Sequence, residues 1–172
     1  MASSRVSAVR KRGPRLKPET VKLLRKIKAH ILAEPKRLNM SEFAQHREGS
    51  KAPACKTTGC IAGWACLVTV DPEKLANLTP QHSEVWGPIY PTELIGKLAG
   101  VRGGNFAAAA KRRLGITQKQ ASALFFFEDM MHEGYYWPIE YSYRYQNANN
   151  DKERAKVTAE RIEHFIATGG EE

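Results

Sequence analysis

Cysteine is scarce in this 172-residue chain: there are three, all between positions 55 and 66. A chain of this length buries enough apolar surface to fold without disulfides or a structural metal, so the cysteines are not needed as staples. No apolar run approaches the roughly 20 residues of a membrane-spanning helix, which argues against a helical membrane anchor or a membrane partner. The first residues also lack the apolar segment of a secretory signal, so the sequence reads as a soluble, cytoplasmic protein whose thiols stay reduced. Runs of alternating apolar and polar residues are missing as well, and with them the usual signature of a half-buried strand.

Acidic residues are absent from positions 1–18, MASSRVSAVRKRGPRLKP. Arg5, Arg10, Lys11, Arg12, Arg15 and Lys17 therefore stand there uncompensated and supply six charges of a net +9, which leaves +3 for the remainder. With few large apolar groups, such a tail is expected to be disordered by itself and to seek polyanions, phosphate backbones above all. The domain reading is a disordered basic tail over 1–18 and one α-helical domain over 19–170.

Helical periodicity dominates the rest. Val21, Leu24, Ile27, Ile31 and Leu32 recur at spacings of three and four, and Pro35 ends the run. Asn39 to Phe43 reads as the opening of a shorter segment, and Gln45 to Pro53 as a loop. The segment from about 58 to 68 is apolar all round, with Thr57-Thr58 as its cap, and a helix of that kind belongs at the centre of a core. Gly59 and Gly63, four apart, mark a face where another helix can approach closely. Asp71-Pro72 starts a short helix, and a loop through Trp86 leads to another at Pro91–Gly100. Next come an Ala-rich helix to Leu114, a capping box Thr117/Gln120 leading into a helix to about Asp129, and a final helix from Asp151 to Thr168. The expected fold is all-α, a compact bundle of about six to eight helices around the central apolar one.

The cysteine spacing, CKTTGCIAGWAC, matches none of the paired zinc patterns. Six residues along a helix turn through about 600°, so Cys60 and Cys66 face different neighbours, about 120° apart. Cys55 and Cys60, joined by His46 or His82, remain a minor metal-binding possibility, and Cys60 near a helix start a minor nucleophile. The favoured role is packing beside Trp64, with no cofactor implied. Gly100 to Asn105 resembles an anion-cradling loop but lacks the Lys-Ser/Thr pair of a P-loop, and reads as a helix connection. Glu128, Asp129 and His132 fit a solvated helix end better than an acid/base cluster. Trp137, Tyr141 and Tyr145 are expected to pack on the final helix, with the tyrosine hydroxyls at the surface. His164, four residues after Glu160, reads as its surface partner.

Residues 108–125 resemble a helix-turn-helix. Leu114-Gly115-Ile116-Thr117 would form the turn, Gln118 and Lys119 open the would-be recognition helix, and Lys111, Arg112 and Arg113 stand ready for phosphates. The position four before the turn glycine, usually small, is Lys111.

Several segments taken together are similar to a group of small, functionally uncharacterised proteins from bacterial genomes and phages. They are Cys55-x-Thr57-x-Gly59-Cys60-Ile61-Ala62-Gly63-Trp64-Ala65, Leu114-Gly-Ile-Thr with Gln120-Ala121 and Leu124-Phe125, Trp137-Pro138, and Arg161-Ile-Glu-His-Phe-Ile166. The resemblance spans roughly residues 20–168. It implies a shared helical core and no particular chemistry. A Cys-Gly-Thr opening is expected in that group where this chain has Lys56.

The functional expectation is a non-enzymatic accessory protein that associates with nucleic acid, DNA rather than RNA, through the basic arm and the 108–125 pair. The alternative is a protein-interaction or inhibitor module with a protein partner, using the Trp86 loop and the Tyr-rich segment. A cysteine-dependent metal or thiol enzyme comes third.

Overall fold

The computed structural model describes residues 15–46, 53–54, 56–78, 82–83, 87–88, 91–127 and 137–171. Eight α-helices lie among them: α1 Pro18–Ala33, α2 Ile61–Leu67, α3 Pro72–Ala76, α4 Pro91–Leu98, α5 Phe106–Leu114, α6 Gln118–Phe125, α7 Ile139–Gln146 and α8 Asp151–Thr168. Two short antiparallel pairs join them, β1 Gln45–His46 with β2 Thr57–Thr58, and β3 His82–Ser83 with β4 Gly87–Pro88. The class is all-α, as the periodicity predicts.

Local signals set most helix ends. Pro18 at the first position starts α1, and the extended conformation imposed on Glu34 by Pro35 stops it. Asp71 caps α3 by accepting from Glu73 N–H at 2.9 Å. Asn105 and Asn150 cap α5 and α8, while Gly115 and Gly169 close those helices in the left-handed conformation. Thr117 and Gln120 form the reciprocal capping box at α6. That helix ends at Phe125, short of the expected Asp129. Phe126 is extended, and Trp137 takes the terminal carbonyls, its Nε1 donating to Leu124 O at 2.9 Å and its backbone N–H to Phe126 O at 3.1 Å.

Every residue of α2 is buried, and α5 packs along it with α1 and α6 alongside; α8 covers α1 and α7. The central helix is shorter than expected, because residues 57–60 are drawn into extended structure. Thr57-Thr58 pair with β1, Gly59 N–H donates to Arg37 O at 2.9 Å, and Cys60 N–H donates to Glu42 O at 2.9 Å. Cys60, not Thr58, is the residue before the first turn. Asn39–Phe43, expected to open a helix, instead runs as turns beside this segment, with Asn39 N–H on Gly59 O at 3.1 Å. The loop expected over 45–53 contains β1.

The glycine face also receives something other than a helix. A Cβ on Gly63 would lie 1.5 Å from Phe43 O, and one on Gly59 would lie 2.6 Å from the same atom. A backbone carbonyl rests on both α-carbons. Just upstream, Lys56 holds a left-handed φ of 50°, a conformation costing a side chain about 1 kcal/mol.

Two apolar stripes include buried polar residues. On α1, Thr20 is buried rather than Val21, and Leu32 is 43% exposed. On α8, Arg161 is fully buried among Thr158, Ile162 and Phe165, and donates through Nη2 to Ala123 O at 2.8 Å. Tyr145 likewise departs from expectation: its hydroxyl is inside, accepting from Met40 N–H at 3.3 Å.

Candidate nucleic-acid interface

Gly115 turns the chain sharply between α5 and α6, and the residues around it have different fates. Lys111 Nζ donates to Gln118 Oε1 at 2.9 Å, so the bulky residue at the crossing reaches across the turn instead of blocking it. Arg112 is exposed and makes no ion pair among the described residues. Arg113 is exposed as well, but its guanidinium is hydrogen-bonded within the fold. Its Nη1 donates to Cys66 O at 2.5 Å and its Nη2 to Ala99 O, so the guanidinium closes the C-terminal ends of α2 and α4. Those ends carry partial negative charge and unsatisfied carbonyls, which a cation neutralises.

Gln118 and Lys119 are exposed at the start of α6, and Gln120 donates to Gly169 O at 2.9 Å. From Ala121 to Phe125 every side chain is buried. A recognition helix in a major groove contacts base edges chiefly through its N-terminal residues. Here only the first turn of α6 and its approach face outward.

The tail's root comes to this same place. Thr20 Oγ1 donates to Leu114 O at 2.6 Å across a buried contact, which ties the first turn of α1 to the last residue of α5. Arg15 and Lys17, both exposed, flank half-buried Leu16 just before that junction. Arg5, Arg10, Lys11 and Arg12 lie outside the described residues. Glu19 and Glu171, both exposed, are at the same end and temper its field. Elsewhere the cations are more often matched: Lys28 and Arg25 meet Glu163 at 2.7 and 3.8 Å, and Arg144 meets Glu160 at 2.6 Å. Glu160 thus pairs with Arg144, while the His164 ring lies against Tyr141. No protein-family model, curated protein or solved structure matches the chain.

The cysteine segment has a different character. Cys60 is buried, and desolvation pushes its thiol up to about 11, outweighing the downward pull of the Gly63 and Ala62 backbone N–H groups. Burial raises the Cys66 thiol too, and its Sγ donates to Phe106 O at 3.9 Å. Both are free thiols held protonated, the reverse of an activated nucleophile. Cys55 and the side chains of His46 and His82 lie outside the described residues; within those residues no cluster of three potential metal ligands occurs. Glu128, Asp129, His132 and Trp86 also lie outside them. Gly100, Gly103 and Gly104 all have positive φ in the connection before α5, whose Ala108 N–H is already taken by Asn105.

One polar cluster escaped sequence reasoning. Arg37 Nη1 lies 3.1 Å from His30 Nδ1, and since a guanidinium only donates, Nδ1 accepts and Nε2 carries the ring proton. Glu34 Oε2 lies 3.0 Å from Arg37 Nε, and Trp64 Nε1 donates to Arg37 O at 2.8 Å. Burial, reinforced by Arg37 and Lys26, lowers the His30 pKa to about 4. The Pro35-Lys36-Arg37 turn was the available signal, because it folds residue 37 back toward residue 30.

Proposed function

We propose that the protein is a non-enzymatic nucleic-acid-associated accessory protein. Its basic N-terminal arm contacts phosphates, and the exposed start of α6 with Arg112 continues the same contact. The observation that supports this reading is the Thr20–Leu114 hydrogen bond, which roots the arm at the α5–α6 turn. Two basic elements far apart in sequence then act on one stretch of backbone. Duplex DNA is preferred to RNA, because a short exposed helix end can reach the wide major groove of B-form DNA but not the narrow one of an RNA duplex.

The test is duplex affinity across a salt series, read by fluorescence anisotropy with DNA and RNA in competition. Each phosphate contact contributes about one to the slope of log affinity against log salt. Deleting residues 1–14 removes Arg5, Arg10, Lys11 and Arg12 and is expected to lower that slope by about four. No binding at low salt, or a slope unchanged by the deletion, overturns the reading.

A second reading, a protein-interaction or inhibitor module, has its own observation: Ile139 is 85% exposed and Tyr143 66% exposed, one turn apart on α7. A single stoichiometric partner recovered after nuclease treatment, and lost with Tyr143→Ser, favours it.

A further inference from the structure

At the end of the α5–α6 pair away from the basic turn, a cavity of about 400 Å³ opens between Ala107 and Phe125-Phe126 on one side and Met40, Phe43 and Cys60 on the other. Its volume falls within the usual range for small-molecule sites. The walls are held by contacts independent of any occupant. Phe43 is fixed by its carbonyl on Gly59 and Gly63, and its ring lies nearly parallel to Phe106 with centroids 6.3 Å apart. Met40 is held by the Tyr145 hydroxyl, Phe126 by Trp137 N–H, and the Glu42 carbonyl by Cys60 N–H.

The lining has a definite chemical bias. Three phenylalanines and two polarisable sulfur atoms favour a flat aromatic body. Among the described residues Glu42 is the one charged member of the lining; it is exposed, and its carboxylate makes no ion pair among them. Among the described residues no cation lines the cavity to receive an anion. Aromatic faces add to the attraction for positive charge, and Cys60, as a neutral thiol, leaves Glu42 as the source of formal charge among the described lining residues.

We propose that this cavity is a binding site for a small aromatic amine, its ring system among Phe43, Phe125 and Phe126 and its ammonium group directed to the Glu42 carboxylate. The proposal stands apart from the nucleic-acid reading, since the site shares no residue with the basic turn, and either can fail alone.

Three probes of one shape test it on the full chain by calorimetry and thermal shift: naphthylethylamine, naphthylethanol and naphthylacetate. The amine is expected to raise the unfolding midpoint and to bind about tenfold more tightly than the acetate, with the alcohol between them. Glu42→Gln, a change at an exposed side chain, should bring the three affinities together while leaving that of the alcohol unchanged. Ala107→Phe, which fills the cavity, should abolish binding of all three. The proposal is overturned by absence of amine binding, by equal affinity for amine and acetate, or by amine binding that persists in a folded Ala107→Phe variant.

Discussion

Residues 60–67 and residues 111–119 are both dense in groups that suggest chemistry, yet the structure treats them in opposite ways. In the first, two thiols, a tryptophan and a glycine are buried, and each is committed to a neighbour inside the chain. In the second, Arg112, Gln118 and Lys119 are exposed, and Arg113, exposed as well, commits its guanidinium to the Cys66 and Ala99 carbonyls. Reactive-looking residue types therefore say little without their surroundings. A buried thiol is a small apolar group, whereas an exposed arginine beside a helix start is open to phosphate.

The comparison breaks most visibly at Gly63. Adding one methyl places a carbon 1.5 Å from the Phe43 carbonyl oxygen, a backbone atom. Gly63→Ala is expected to cost about 4 kcal/mol or more in a urea titration. Gly59→Ala, with 2.6 Å available, should cost about 2 kcal/mol. A Gly63→Ala variant within 1 kcal/mol of the parent, on the order of a surface change, would show that Phe43 does not rest there. Arg113 comes next. Arg113→Met leaves the Cys66 and Ala99 carbonyls without their donor, and a loss of about 2 kcal/mol is expected, with little change in DNA affinity.

Why only part of this was legible follows from the range of each signal. Caps such as Thr117 with Gln120, or Asn105 before α5, are set within four residues, so the sequence displays them directly. Residues 57–60 are extended because their partners lie near residues 37–46, a pairing that no local window contains. Arg161 sits on the apolar stripe of α8 yet is counted by its charge, so its burial was missed. The clue to Arg113 was its place beside the buried stripe Phe106, Ala109, Ala110 and Leu114 of α5, an edge from which a long side chain reaches neighbouring carbonyls. Counting three consecutive cations concealed it, since successive residues point about 100° apart.

The His30 cluster gives a smaller effect that follows pH. The folded pKa of about 4 lies below the ordinary 6.5, so between those values the unfolded chain binds the proton and the folded one does not. Stability contributed by neutral His30 is complete above about pH 6.5 and is lost as the pH falls toward 4. Because the residue is only partly buried, solvent screening reduces the amplitude to on the order of 1 to 2 kcal/mol. His30→Asn keeps an acceptor for Arg37 but does not titrate. The stability gap between parent and variant should therefore narrow as the pH falls through that window in parallel denaturation curves. A gap independent of pH would mean that His30 titrates normally.

The smallest effect on stability belongs to Arg112, and it divides the two regions most sharply. Arg112 and Arg113 are neighbours with the same side chain, so the same substitution changes formal charge equally at both. Arg112→Met removes no intramolecular ion pair among the described residues and should leave the unfolding free energy within about 0.5 kcal/mol of the parent. If the exposed turn meets phosphate, the same change lowers the salt slope of duplex binding by about one, whereas Arg113→Met leaves that slope as it was. Crossed outcomes of this kind, stability lost at one arginine and binding at the next, cannot arise from net charge alone. Equal slopes for both variants would reduce the turn to a bystander and leave the arm as the whole of the interface.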